Sequence, residues 1–312
     1  MGGSGGGPFS SNRSPDTLAS LVRESEKNTS VAAFESELST FLGELLGGIN
    51  SRDVALVSER LGQLKRYLET SVDETLDQMY GGSVAKKTYV DGLSDIDSIL
   101  VVNGTELELG GPRAALERMT KALTERMGGE VRIGHGRMAV TIEYPDGMQI
   151  QLLPAIKTAQ GLKVPSSRRD DWSKIEPRGF QAALTRANET CAGKLIPTIK
   201  LAKAILGTLP EQQRLSGYHV ESLAVAAFRK YDGPTTTAAM LPAFFERAKD
   251  LVLNPIRDST GQSVHVDGYL GESGSVERTS ASHLLNRLAK RMRNATAAGS
   301  RAQWQALFEG DL

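Results

Sequence analysis

Residues 81–100 read GGSVAKKTYVDGLSDIDSIL, and the types and spacing in this stretch suit phosphoryl chemistry. Gly82 beside Ser83 lets the main chain approach a phosphate closely, while the hydroxyl and free amides donate hydrogen bonds to its oxygens. Further on, Ser94-Asp95-Ile96-Asp97 opens an apolar run. On a strand alternate residues share a face, so Asp95 and Asp97 are expected to project together while Ile96 turns to the core. Two carboxylates so placed repel strongly unless a cation sits between them. A hard ion with oxygen ligands is the usual partner, and Mg²⁺ keeps water and substrate phosphates in its remaining positions. A phosphate-holding turn followed by a metal-holding strand edge predicts a nucleoside triphosphate site that works by positioning and charge neutralisation. Either half alone is weak, because a Gly-Ser pair is ordinarily a turn and D-x-D is often a solvated strand end. Their combination carries the reading.

The elements that must position these residues follow from periodicity. Over 51–79 the apolar residues Val54, Leu56, Val57, Leu61, Leu64, Leu68, Val72 and Leu76 predict one long amphipathic helix running into Tyr80-Gly81-Gly82-Ser83. Ile96–Val102 is β-branched and apolar, as a strand would be, and Pro112 to Arg126 reads as a helix with proline near its first turn. Strands are expected at 131–133, 138–144 and 148–153, the last two joined by the turn Pro145-Asp146-Gly147. Beyond residue 176 helical periodicity takes over at 177–190, 193–208, 217–231, 237–253 and 280–307, with 254–279 as a long surface loop. The predicted division is a flexible Gly/Ser tail over 1–16, a mixed α/β lobe with a long N-terminal helix over 17–175, and a helical lobe over 176–312.

Composition narrows the function classes. The 37 basic and 37 acidic side chains cancel, which argues against duplex nucleic acid as the main partner. The single cysteine, Cys191, supports neither a disulfide framework nor a four-ligand zinc site and suits a reducing cytoplasm. Apolar runs are short and broken by charge, and the N-terminus lacks the basic-then-apolar signature of a signal peptide, so no membrane association is expected.

The 81–100 segment resembles the G-S…D-x-D signature of polymerase-β-type nucleotidyltransferases. Downstream, GKLIPTIKLAKAIL (193–206), LSGYHVESLAVAAF (215–228) and WQALF (304–308) resemble the helical part of the cGAS/DncV-like branch, the CD-NTases. That branch makes cyclic or linear oligonucleotide second messengers in bacterial antiphage defence and animal innate immunity. The resemblance implies an α+β fold, with a polymerase-β-like core packed against a C-terminal helical lobe. It further implies that Gly82 and Ser83 hold the donor triphosphate and that Asp95 and Asp97 bind Mg²⁺ or Mn²⁺. Lys200, Lys203 or both would reach the triphosphate tail, and Tyr218 would stack on a nucleobase. A product-sensing effector protein is the implied partner. Without the catalytic strand, paired lysines would be read as a solvated face and a lone tyrosine as core; His219 is read as packing or capping locally. The zinc ribbon of the vertebrate relative needs Cys and His ligands that this chain does not supply.

One position departs from the pattern. The branch expects a third metal carboxylate where MQIQLLPAI places Gln151. An amide offers one carbonyl oxygen and no charge, so catalysis should suffer more than nucleotide binding. Three explanations stand side by side: an original carboxylate exchanged to inactivate the chain, a carboxylate borrowed from Glu143 or Asp146, or a nucleotide-binding sensor that has lost catalysis. A tRNA-tailing or small-molecule nucleotidyltransferase on the same core is the remaining alternative.

Overall fold

A computed structural model describes residues 15–49, 54–72, 76–80, 87–88, 90, 96–166, 170–175, 177–256 and 267–310. The chain folds as an α+β protein with a mixed sheet and a C-terminal helical lobe. In the first lobe, α2 (Val54–Val72) presents Val57, Leu61, Leu64 and Leu68 as one buried stripe. The single helix expected over 51–79 stops there. Asp77–Tyr80 forms β1 instead, antiparallel to β2 (Ile96–Val101) from Asp77↔Val101 to Tyr80↔Ser98. Leu76 is buried as the periodicity required, but ladder hydrogen bonds to β2 outweigh the local helical preference of the residues after it.

From β2 the chain crosses through α3 (Gly111–Met127) to β3 (Arg132–His135), β4 (Val140–Glu143) and β5 (Gln149–Thr158). The main ladder runs β1-β2-β5-β4-β3, parallel only between β2 and β5. Tyr144 to Met148 closes the β4–β5 hairpin at the expected Pro-Asp-Gly turn. The far half of β5 then pairs with β6 (Gly161–Pro165), and β6 with β7 (Trp172–Ile175). These two strands fall where no element is expected from the sequence, since short runs such as GLKVP carry too little alternation to announce themselves.

The sheet has two unlike faces. Val140, Ile142, Ile150 and Leu152 pack with the buried stripes of α2 and α3 into one apolar cluster. The opposite face carries a much smaller one, Ile99, Ala155 and Val164, with Leu153 and Met138 against it. Arg60 on α2 holds the hairpin turn to the first face, 3.0 Å from Asp146 Oδ1 and with its guanidinium 3.9 Å above the Tyr144 ring.

The helical lobe comprises α4 (Pro177–Thr190), α5 (Leu195–Gly207), α6 (Gly217–Ala227), α7 (Thr237–Leu251), α8 (Val276–Ala297) and α9 (Arg301–Glu309). The predicted helix 280–307 is thus two, parted at Gly299, whose φ of 57° lies in the left-handed region, and Ser300, whose hydroxyl caps α9. The N-terminal helix α1 (Pro15–Ile49) buries Leu38, Phe41 and Leu42 in this lobe's core, so the packing unit draws on both ends of the chain. Residues 1–14 of the predicted tail lie outside the described residues. Among the described residues no helix is long and apolar enough to cross a membrane.

The stretch 254–279 is not a plain surface loop where it is described. Asp267 is fully buried and accepts from Arg278 Nη1 at 2.7 Å and from the Ile256 amide at 3.1 Å. Arg278, also fully buried, donates in addition to the Gly271 and Val252 carbonyls at 3.0 and 2.9 Å. Removing one partner of such a pair strands the other charge in an apolar interior. Arg278→Met is therefore expected to destabilise the fold by about 3–5 kcal/mol, and Asp267→Asn in the same chain to recover part of that loss, both measured by denaturant unfolding.

Candidate functional site

The central ladder brings position 97 beside position 151. Asp97 and Gln151 are Cα partners in the parallel β2–β5 pair, and Thr141 on β4 is the partner of Gln151 on its other side. Neighbouring strands lie about 4.8 Å apart, so these positions meet at one level of the sheet. Ile150 and Leu152 are fully buried toward α2 and α3, and strand alternation turns the half-buried Gln151 to the opposite face. Gly82, Ser83 and Asp95 lie outside the described residues.

The two candidate substitute carboxylates fare differently. Glu143 is paired with Gln149, which makes it a diagonal neighbour of Gln151 at about 7–8 Å across the ladder. It accepts from Gln149 Nε2 at 3.3 Å and lies 3.8 Å from Arg132 Nη1. Asp146 is drawn to Arg60 on the α2 side. Burial pushes its carboxyl up, but the Met148 amide and the Arg60 guanidinium outweigh that and hold it below the usual carboxylate range. Glu143 therefore stands on the same sheet face as Gln151, and Asp146 is committed elsewhere.

In the helical lobe the structure separates the two lysines of α5. Lys203 is buried at 5% exposure, its Nζ 2.8 Å from Glu221 Oε1 on α6 and 3.1 Å from the Thr88 carbonyl. Thr88 donates its hydroxyl to the same Glu221 oxygen. Lys200, one turn away, is half-buried; burial and then the Lys203 charge push its ammonium below the ordinary lysine value. Gly217 opens α6 directly against Lys203: a Cβ there would meet Nζ at 3.3 Å, so glycine lets the helix start this close. Tyr218 is half-buried, its ring centroid 4.7 Å from that of Phe180 on α4. Sequence reasoning missed Thr88 and Glu221. The signal for Glu221 was a lone acid inside HVESLAVAAF.

The profile of the second messenger oligonucleotide or dinucleotide synthetase (SMODS) domain matches residues 33–188, half of the sequence. The chain belongs to this family. No curated protein matches the SMODS chain in sequence. Among solved structures it is similar to the Bradyrhizobium diazoefficiens CD-NTase CdnG in complex with GTP, at 17% identity and a TM-score of 0.63, covering 82% of this chain and 90% of that one. It is also similar to Vibrio cholerae DncV bound to 3'-deoxy ATP, at 11% identity and a TM-score of 0.61 over 76% and 68% of the two chains. A third is the STING-associated CdnE c-di-GMP synthase of Capnocytophaga granulosa, at 14% identity and a TM-score of 0.56 over 77% and 80%. At such identities the likeness speaks for the fold. It places this SMODS protein in the CD-NTase architecture.

His219 takes the structural role expected of it, and more. Ser216 caps α6 by accepting from the His219 amide at 3.3 Å, while His219 Nδ1 lies 2.8 Å from the Tyr269 hydroxyl. Nε2 points toward Asp267, 3.7 Å from Oδ2. Burial pushes the imidazole down from 6.5 to about 4, with Asp267 opposing and Arg278 adding to the fall. An unfolded His219 takes up its proton near pH 6.5 and the folded one only near pH 4, so the native state loses stability as pH falls through that window. Above it both states are neutral and the effect vanishes. In His219→Gln the melting temperature should therefore fall less steeply between pH 6.5 and 4 than in the parent; equal slopes would deny the buried neutral imidazole.

Proposed function

We propose that this SMODS protein is a nucleotidyltransferase that joins nucleoside triphosphates into a cyclic or linear oligonucleotide second messenger, acting in bacterial antiphage signalling in the cytoplasm through a product-sensing effector. The observation that supports this most directly is the β2–β5 register, which sets the D-x-D strand beside the third-carboxylate position within a family of second-messenger synthetases. The printed descriptions of the similar structures agree with it: CdnG is bound to GTP, and DncV to the linear intermediate 5' pppA(3',5')pG.

In this reading Gly82 and Ser83 hold the donor triphosphate, Lys200 draws its tail toward α5, and Tyr218 offers a ring face to a base without hydrogen-bond readout. Asp95 and Asp97 hold Mg²⁺ or Mn²⁺, with the Gln151 carbonyl oxygen as the neutral third donor. Two strand carboxylates suit a hard cation, and the amide makes that donor set weaker than the family pattern. The ion, when bound, supplies charge neutralisation at the phosphate oxygens. The 2′ or 3′ hydroxyl of a second nucleotide forms a bond to the α-phosphorus, the bond to the β-phosphate bridging oxygen breaks, and pyrophosphate leaves with the proton passed to solvent.

Gln151 favours one second reading, a nucleotide-binding sensor with little catalysis, because the charge lost there acts on transfer more than on binding. Labelled ATP, GTP, CTP and UTP with Mg²⁺ or Mn²⁺ separate the two. Gln151→Glu or Gln151→Asp is expected to raise oligonucleotide synthesis by about tenfold or more, with Asp95→Asn abolishing it, read as phosphatase-resistant products identified by mass. If the parent and both Gln151 variants bind nucleotide and none of them makes product, the synthase reading is lost and the sensor reading stands.

A further inference from the structure

Glu221 has no part in the chemistry above, yet its side chain is 1% exposed inside α6. A buried ion pair is ordinarily no better for stability than apolar residues of the same volume, because desolvation offsets the attraction. The pair Lys203–Glu221 is distinguished by its third member. Thr88, fully buried, is gripped twice: its hydroxyl donates to Glu221 Oε1, and its carbonyl accepts from Lys203 Nζ at 3.1 Å. The preceding residue, Lys87, has a φ of 59°, left-handed and strained for a lysine. Such a backbone persists where its surroundings over-determine it. Thr88 is midway in sequence between Tyr80, which ends β1, and Ile96, which begins β2. The stretch before it carries Gly82 and Ser83, and the stretch after it carries Asp95.

We infer that Glu221 is a positioning residue for nucleotidyl transfer: through Lys203 and Thr88 it pins the midpoint of the β1–β2 connection to the helical lobe. A chain held at its midpoint has two shorter loops to close instead of one long one, which lowers the entropy cost of bringing its ends to a ligand. The inference rests on the proposed nucleotide site. It gives Lys203 the task of holding the protein's own chain and leaves the triphosphate tail to Lys200.

The test compares the parent with Glu221→Gln and with Lys203→Met/Glu221→Leu, which removes both charges while keeping volume. Three quantities are read: melting temperature, amide hydrogen exchange of peptides over 84–95, and affinity for non-hydrolysable ATP and GTP analogues with Mg²⁺. In the double variant the melting temperature should stay near the parent's, exchange over 84–95 should rise about tenfold or more, and affinity should fall by about as much. Exchange in α7 should not change, and Glu221→Asp should restore part of the affinity lost in Glu221→Gln. A folded double variant with parental exchange and measurable, parental affinity overturns the clamp alone. A parent that binds neither analogue sinks the nucleotide site, and the inference with it, a result distinct from equal affinities.

Discussion

The parallel pairing of β2 with β5 is the constraint from which the rest of the architecture follows. A parallel neighbour cannot be reached by a hairpin, so the chain must leave β2, cross through α3 and return by way of β3 and β4. That detour sets α3 beside α2 on one sheet face and buries Ile150 and Leu152 against them, while the described residues of the other face carry a small apolar patch. Thr141 and Gln151 stand on that second face as half-buried polar positions. The pairing Asp97↔Gln151 is a by-product of the same register. A slip of one residue would send Gln151 into the apolar cluster.

Among the described residues charge is buried at two points, one joining segments 115 residues apart and the other segments 11 to 26 residues apart. Lys203 and Glu221 reach Thr88 across the lobes, and Arg278 and Asp267 tie the chain after α7 to the start of α8. Both pairs carry additional hydrogen bonds to main-chain groups, which is the condition under which a buried ion pair can offset its desolvation. Their common feature is directionality. Apolar packing would fill the same space but would not hold one particular carbonyl or hydroxyl in place.

The hairpin turn 145–147 illustrates how one charged contact distributes work between faces. Arg60 draws Asp146 toward α2 and stacks on Tyr144, so the turn is locked from the buried side. Glu143, two residues before Tyr144's neighbour in the turn, remains with Arg132 and Gln149 on the face that Gln151 shares. Two acids that looked equivalent as stand-ins for a missing carboxylate are thereby separated by the thickness of a strand.

Local pattern carried much of this protein in its sequence. The period of 3.6 announced α2 and the helices beyond 176, the β-branched apolar run 96–102 announced β2, and Pro145-Asp146-Gly147 announced the turn between the expected strands β4 and β5. The G-S…D-x-D segment resembled polymerase-β-type nucleotidyltransferases and the downstream helical motifs the CD-NTase branch, and the SMODS match then showed the family. What needed the tertiary structure were features decided by partners distant along the chain. Residues 77–80 became a strand because β2 was there to pair with them, and β6 and β7 formed because the far half of β5 extended beyond the main ladder. α1 joined the helical lobe through Leu38, Phe41 and Leu42, a docking no periodicity can specify. Lys200 and Lys203 looked alike at three residues' spacing, but Lys203 is buried against Glu221 and Thr88 while Lys200 is half-buried. Sequence determines which residues must be buried or turned to one face; which charge meets which depends on packing between lobes, and that exists only in three dimensions.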